Sequence, residues 1–165
     1  KSEPFFKFAT VLSLGAIDKS AFAEYLNKLF AKEDIACDDE QIAYIYEFCG
    51  GVAYYLSLFM MLTLMGRPVR VDEELTKEMT QKVLEVCAFG FENEISALKR
   101  RKYFLATTLM IAKGENPYSV KSTQRQNINA VIKNLELDGV VVRQEGGYAL
   151  ADKVFGAYLL GVMEA

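Results

Sequence analysis

The chain has 165 residues, 52% of them hydrophobic and 25% charged, and a formal net charge of −3. That length and apolar content fit one large or two small domains with real cores, and the charge argues against a polyanion binder that works through bulk electrostatics. There is no histidine, and the 3 cysteines, Cys37, Cys49 and Cys87, form no CxxC pair. Imidazole chemistry is thereby excluded and no metal site is expected; the thiols read as small buried hydrophobes of a reducing cytosol.

The opening, "KSEPFFKFATVLSLG", has neither a starting Met nor a signal peptide and reads as the beginning of a fragment. Within it "TVLSL" (Thr10 to Leu14) is short, apolar and β-rich, which predicts a strand. Asp18 then offers a helix N-cap, and Phe22, Tyr25, Leu26, Leu29 and Phe30 fall on one helical face behind it. "DDEQIAYIYEFC" repeats the design, with acids at the start, where they favour the helix dipole, and Ile42, Ile45, Tyr46 and Cys49 inward.

Gly50-Gly51 ends that helix, and the all-apolar run Val52 to Met65, "VAYYLSLFMMLTLM", follows at once. At 14 residues it falls short of the roughly 20 a membrane span needs, so it predicts a buried core helix and no membrane partner. "GRPVRVDEE" reads as a loop with Asp72 as the next cap. Leu75, Met79, Val83 and Val86 continue a helical pattern, and "ENEISALKRRKYFLATTLMIAK" reads as another helical stretch, either one rod or broken near Lys99.

The charge balance changes sign near Leu98. Residues 1–98 carry 9 basic and 16 acidic side chains, a balance of −7, and residues 99–165 carry 10 and 6, a balance of +4. Such a change marks a second module with a different surface. That module begins with "RRKYFLATTLMIAKG", a helix closed by Gly114, and "ENPYSVK" predicts a turn or a short second helix. A third helix runs from Thr123 to Leu137, with Ser122 as N-cap, Gly139 as C′ residue, and Ile128, Val131, Ile132 and Leu135 inward. "GVVVRQ" and "GYALA" then predict a hairpin around Glu145-Gly146-Gly147, and Asp152 caps a last helix, "KVFGAYLLGVM". Helix, helix, helix, strand, strand is the order of a winged-helix module. The predicted fold is therefore mainly α, a helical lid-like bundle over 1–97 followed by a winged helix over 98–165.

If the third helix enters a major groove, its outward side chains are Thr123, Arg125, Gln126, Asn129 and Lys133, residue types that pair with guanine, adenine and phosphate. Lys121 and Arg143 would add backbone contacts, as would the basic run Lys99, Arg100, Arg101 and Lys102. The same pattern is also that of a solvated helix face, or of a wing that packs on a protein partner. The double glycine at the start of a helix could offer amides to an anion, although Gly-Gly is more often a plain helix stop. No GxxxxGK[ST] loop, no strand ending in paired acids and no nucleophile–base–orienter set occurs, so no autonomous catalysis is expected.

Taken in order, "PFFKFATVLSLGAI", the F-x-x-Y-L-x-x-L-F pattern of Phe22 to Phe30, "GGVAYYL", "NINAVIKNLELDGVV" and "DKVFGAYLL" resemble the C-terminal portion of the archaeal/prokaryotic ATPase family. That family belongs to the STAND branch of AAA+-related P-loop ATPases, and the resemblance covers nearly the whole chain. It implies a leftover strand of an ATPase sheet, a lid from residue 18 to about 95, and a winged helix. It also implies an ATPase core ahead of Lys1 as partner, with ATP and magnesium bound by that core and none held here. The family often carries a Gly-x-Pro element near the adenine; the corresponding Gly51, Val52 and Ala53 lack the Pro. Gly50, Gly51, Ala53 and Tyr54 are thus the nucleotide-proximal candidates. The expected role is regulatory: nucleotide state moves the lid, and the lid moves a winged helix that contacts DNA or protein in the cytoplasm. A winged-helix transcription regulator with a helical dimerisation domain, and a pure interaction scaffold, are the alternatives.

Overall fold

The computed structural model describes residues 15–119 and 125–164. The chain is mainly α-helical, with two small two-stranded sheets among the described residues. The strand expected over Thr10 to Leu14 lies outside those residues, as do Lys121, Ser122 and Thr123.

Helix α1 (Lys19–Lys32) starts where Asp18 accepts the Ala21 amide at 2.9 Å, and it buries Phe22, Leu26 and Phe30 along one stripe. A two-residue strand β1 (Ala36–Cys37) leads into α2 (Asp39–Cys49), which buries Ile42, Ile45 and Cys49. Helix α3 (Ala53–Met65) follows the glycine pair, and β2 (Arg70–Val71) pairs in parallel with β1, Ala36 opposite Arg70 and Cys37 opposite Val71. The stretch expected to be a loop thus contributes a strand. Arg70 also forms an ion pair with Asp38, which fastens this connection to the start of α2.

Helix α4 (Glu73–Lys99) is one rod of 27 residues, roughly 40 Å long, capped by Asp72 through the Leu75 amide. The two helical stretches expected across this region are therefore joined. Its inner face carries Met79, Val83, Phe91, Ile95 and Leu98. Val86 was expected on that face but is 55% exposed, because the buried row advances by fours from Val83 and the half-buried Cys87 takes the inward place.

The rod stops just after Lys99. Tyr103 adopts a left-handed conformation, φ +71°, and α5 (Phe104–Ala112) begins only after it rather than at Arg100. A single 3-10 turn (Pro117–Ser119) occupies the following stretch. Helix α6 (Arg125–Leu137) buries Ile128, Val131, Ile132 and Leu135, the four residues assigned inward from periodicity. Gly139 has φ +73° and closes it. Strands β3 (Val141–Gln144) and β4 (Gly147–Leu150) form an antiparallel hairpin with Arg143 opposite Tyr148, turning at Gly146, φ +87°. Asp152 then caps α7 (Lys153–Glu164) by accepting the Phe155 amide at 2.9 Å.

One apolar cluster extends from Phe22 of α1 to Leu159 of α7. Helix α7 is the piece that unites it. Val154, Phe155 and Leu159 are buried, and the Phe155 and Tyr158 rings lie 5.5 and 5.3 Å from the ring of Phe91 on α4. Fully burying side chains of this size stabilises by about 1.5–3 kcal/mol each. No helix among the described residues is long and apolar enough to cross a membrane.

Candidate functional site

The glycine pair between α2 and α3 sits at a crossing of three chain segments. Gly50 and Gly51 have φ +62° and +71°, a conformation only glycine takes without penalty. Their amides turn back to the carbonyls of Glu47 and Tyr46, and the Val52 amide reaches Cys49. These three N–H groups therefore close the C-terminus of α2 and are not offered to an anion. The Gly51 carbonyl accepts the Ile17 amide at 2.9 Å, and the Tyr46 hydroxyl donates to the Ile17 carbonyl at 2.6 Å. A Cβ on Gly51 would lie 2.8 Å from both the Ala16 methyl and the Tyr46 hydroxyl. The segment entering α1 is thus seated directly on the glycine turn.

The first residues of α3 look two ways. Ala53 is exposed and Tyr54 is 60% exposed, so both face solvent. Tyr55 is buried, its ring 5.3 Å from that of Tyr54, and its hydroxyl donates to Asp152, the residue that caps α7. Burial, reinforced by that carboxylate, pushes the Tyr55 pKa well up. Beside it, burial raises Cys87, with a hydrogen bond to Tyr54 acting the other way. Burial, and then the charge of Asp152, raise Glu94. Next to Asp152, Lys153 pairs with Glu47 of α2 at 3.0 Å, and Lys19 of α1 pairs with the same carboxylate at 2.9 Å. The two lysine hydrogen bonds hold Glu47 down at about 2. The start of α7 is thereby tied to the ends of α1, α2 and α3 around the glycine turn.

The second group of candidates is spread over α6, the hairpin and the α4–α5 bend. Arg125 and Gln126 occupy the first turn of α6, and Asn129, Lys133 and Arg143 are exposed. Glu136 and Glu145 are exposed in the same module and offset its positive charge. Of the basic run, Lys99, Arg100 and Lys102 are exposed and enter no ion pair among the described residues. Arg101 differs: it pairs with Asp138 beyond α6, and its guanidinium lies 3.5 Å from the centre of the Phe104 ring. It is engaged in holding the α4–α5 bend onto the end of α6. Among the described residues no cluster of three or more side chains could hold a metal ion.

The chain shares its fold with part of a solved ATPase. The solved protein is the Walker-type ATPase of Pyrococcus abyssi, at 21% identity and a TM-score of 0.67, over 88% of this chain. The match spans 42% of the length of that ATPase. No family model matches the sequence, and no curated protein matches it either.

The nucleotide-side candidates Gly50, Gly51, Ala53 and Tyr54 come together at one end of the bundle. Of the candidates on α6, the hairpin and the basic bend, Asn129, Lys133, Arg143, Lys99, Arg100, Arg101 and Lys102 are exposed. Sequence reading missed the residues that tie that end to α7: Tyr55, Glu47 and Lys153. The cap role of Asp152 was legible, and a tyrosine beside the exposed Tyr54 in an apolar helix start was the only signal of its partner.

Proposed function

We propose that the chain is the regulatory C-terminal part of a P-loop ATPase of the STAND, AAA+-related type. In this reading residues 1–97 form a lid and 98–165 a winged helix, and the chain relays the nucleotide state of an ATPase core to an outward surface without catalysis of its own. The single observation that carries it is the Tyr55–Asp152 hydrogen bond, which joins the solvent-facing start of α3 to the cap of α7. The shared fold with part of a Walker-type ATPase supports the same reading.

The residues present fit a supporting role at a nucleotide, not a phosphate cradle. With the Gly50, Gly51 and Val52 amides bonded to α2, the group left to approach a base is the exposed Tyr54 ring. ATP and magnesium belong to the core, for which this reading requires a GxxxxGK[ST] loop encoded ahead of Lys1. A displacement of Tyr54 would pass one residue along α3 to Tyr55, and from there through Asp152 to α7, whose Phe155 and Tyr158 lie on α4. The outer face of α6 and the hairpin then meets a partner. Glu136 and Glu145 beside Lys133 and Arg143 favour a protein there. The exposed Lys99, Arg100 and Lys102 favour the second reading, duplex DNA.

The parent gene product tests the relay. Hydrogen exchange of the α7 and hairpin amides, measured with and without ATP and magnesium, should change in the wild type. It should change much less in Tyr55→Phe, with ATP binding itself intact. A parent without a phosphate loop, or an equal response in Tyr55→Phe, would sink the proposal. A gel shift on generic duplex at two salt concentrations separates the two partners: absence of binding even at low salt removes DNA.

A further inference from the structure

Helix α4 carries an outward stripe that nothing covers among the described residues. Lys82, Val86, Phe89, Asn93, Ala97 and Arg100 follow one another at steps of three or four, and all of them are exposed. At the centre of the stripe Phe89 is 78% and Val86 55% exposed. Next to Phe89, Gly90 stands in the interior of the 27-residue rod, where a glycine weakens the helix. A Cβ there would meet nothing within 4 Å, so no contact inside the chain requires the missing side chain. A glycine beside an uncovered ring leaves bare backbone on which a second ring can lie.

The two ends of the rod carry opposite charge. Towards its start, Glu73–Lys77, Glu78–Lys82 and Asp38–Arg70 are ion pairs that cancel. Left over are Asp72, Glu74 and Glu85 and, from the adjoining start of α2, Asp39 and Glu40, all of them exposed. At the far end Asp138 cancels Arg101, while Lys99, Arg100 and Lys102 are exposed and enter no ion pair among the described residues. Glu92 accepts from Tyr158 of α7, and Glu94 is half-buried near Asp152, so both lie off the stripe. The change of sign seen in the sequence near Leu98 is thus laid out along one rod, acidic over its first half and basic at its end.

We infer that a second copy of the chain covers this stripe, the two α4 rods lying antiparallel about a two-fold axis between Phe89 and Gly90. Such an axis sets each Phe89 ring on Gly90 of the other copy and Val86 opposite Asn93. It also brings Lys99, Arg100 and Lys102 of each rod alongside the acidic first half of the other. A parallel pair would set like charges together at both ends. A rod roughly 40 Å long and about 10 Å wide covers about 400 Å² per copy, half of what a stable interface buries. The dimer is therefore weak, reversible and dependent on salt. This inference does not depend on the relay through Tyr55.

The test is sedimentation velocity of the full-length protein over a range of concentrations, at roughly 50 mM and roughly 500 mM salt. The wild type should form a dimer, about tenfold more weakly at the higher salt. Phe89→Glu should abolish it. Gly90→Leu should weaken it about tenfold although the helix itself gains propensity, so thermal unfolding of the monomer should rise while association falls. One variant carries Lys99→Glu, Arg100→Glu and Lys102→Glu, and another Glu74→Lys, Glu78→Lys and Glu85→Lys. Each alone should associate less than the wild type, and mixing the two should restore association. A wild type that stays monomeric at low salt, a dimer unaffected by Phe89→Glu, or a mixture no tighter than its separate variants overturns the inference. A lower unfolding temperature in Phe89→Glu, at concentrations where the wild type is monomeric, would assign the cover of Phe89 to another part of the same chain and also overturn it.

Discussion

The Tyr55 hydroxyl donates to the Asp152 carboxylate across 97 residues of sequence, and the other oxygen of that carboxylate caps α7. One side chain therefore serves a long-range contact and a local helix start. Tyr55→Phe should cost about 1–2 kcal/mol, the range for a hydrogen bond to a charged group in a partly solvated setting. Asp152→Ala should cost about 1 kcal/mol more because the cap is lost as well. Urea denaturation of the two single variants and the double checks this. A double variant no worse than Asp152→Ala places the Tyr55 effect wholly in this bond.

The glycine pair makes a sharper comparison. Both residues carry positive φ, so alanine at either should cost about 1–2 kcal/mol from backbone sterics alone. At Gly50 the new Cβ would meet only the Lys153 stem at 3.5 Å, an ordinary contact. At Gly51 it would stand 2.8 Å from Ala16 and from the Tyr46 hydroxyl, so that the chain entering α1 must move. Gly51→Ala should therefore be the more damaging by roughly 1–3 kcal/mol, the range for overpacking. Thermal unfolding of the two variants reads the difference.

The helix caps and the inner face of α6 were legible because each is set within a few residues. Asp18, Asp72 and Asp152 accept from amides three positions ahead, and Ile128, Val131, Ile132 and Leu135 repeat at helical spacing. The β1–β2 bridge was not legible: two residues per strand carry no periodicity, and their partners lie more than thirty positions apart. Likewise nothing local announces that Arg101 meets Asp138, so a basic run read as a surface patch contains one member with a structural task. Candidate residues at the glycine turn and on α6 could be named from residue types; the Tyr55–Asp152 and Arg101–Asp138 contacts are pairwise meetings of distant polar groups, which leave no pattern in sequence.

That division within the basic run is measurable. Arg101→Ala removes the pair with Asp138 and the stacking on Phe104, and should cost about 1 kcal/mol, since exposed pairs and cation–π contacts are each worth up to roughly that much. Alanine at Lys99 or Arg100 should leave stability within about 0.5 kcal/mol, and at Lys102, whose ammonium lies 4.9 Å from the centre of the Tyr103 ring, within about 1 kcal/mol. If duplex DNA binds, the ranking inverts in a gel shift, with these three variants lowering affinity and its salt dependence.

Glu47 supplies a pH signature. Its carboxyl is held at about 2, mainly by the Lys19 hydrogen bond and next by that of Lys153. A folded pKa below the unfolded value of 4.5 means that its stabilising effect is complete above 4.5 and is lost as the pH falls towards about 2. Glu94 acts in the opposite sense: its raised pKa means that ionisation is unfavourable in the fold, so stability is lost as the pH rises through 4.5. Acid titration should therefore be steeper in Glu94→Gln and flatter in Glu47→Gln than in the wild type. Glu94→Gln should also raise the unfolding temperature at neutral pH.

Two neighbouring threonines of α5 have the same burial and different partners. Thr108 is fully buried and donates to the Phe104 carbonyl at 2.9 Å. Thr107 is 1% exposed, and its Oγ1 has no hydrogen-bond partner among the described residues. A buried hydroxyl without a partner keeps its desolvation cost, about 1–3 kcal/mol, with nothing to offset it. Thr107→Val keeps the shape and removes that cost at nearly equal helix propensity, so it should stabilise the chain by up to about 1 kcal/mol. Thr108→Val removes a made bond and should be neutral to destabilising by about 1 kcal/mol. Denaturation midpoints of the pair decide it: a Thr107→Val variant less stable than Thr108→Val would mean that the Thr107 hydroxyl is satisfied, by an internal water or by a group outside the described residues.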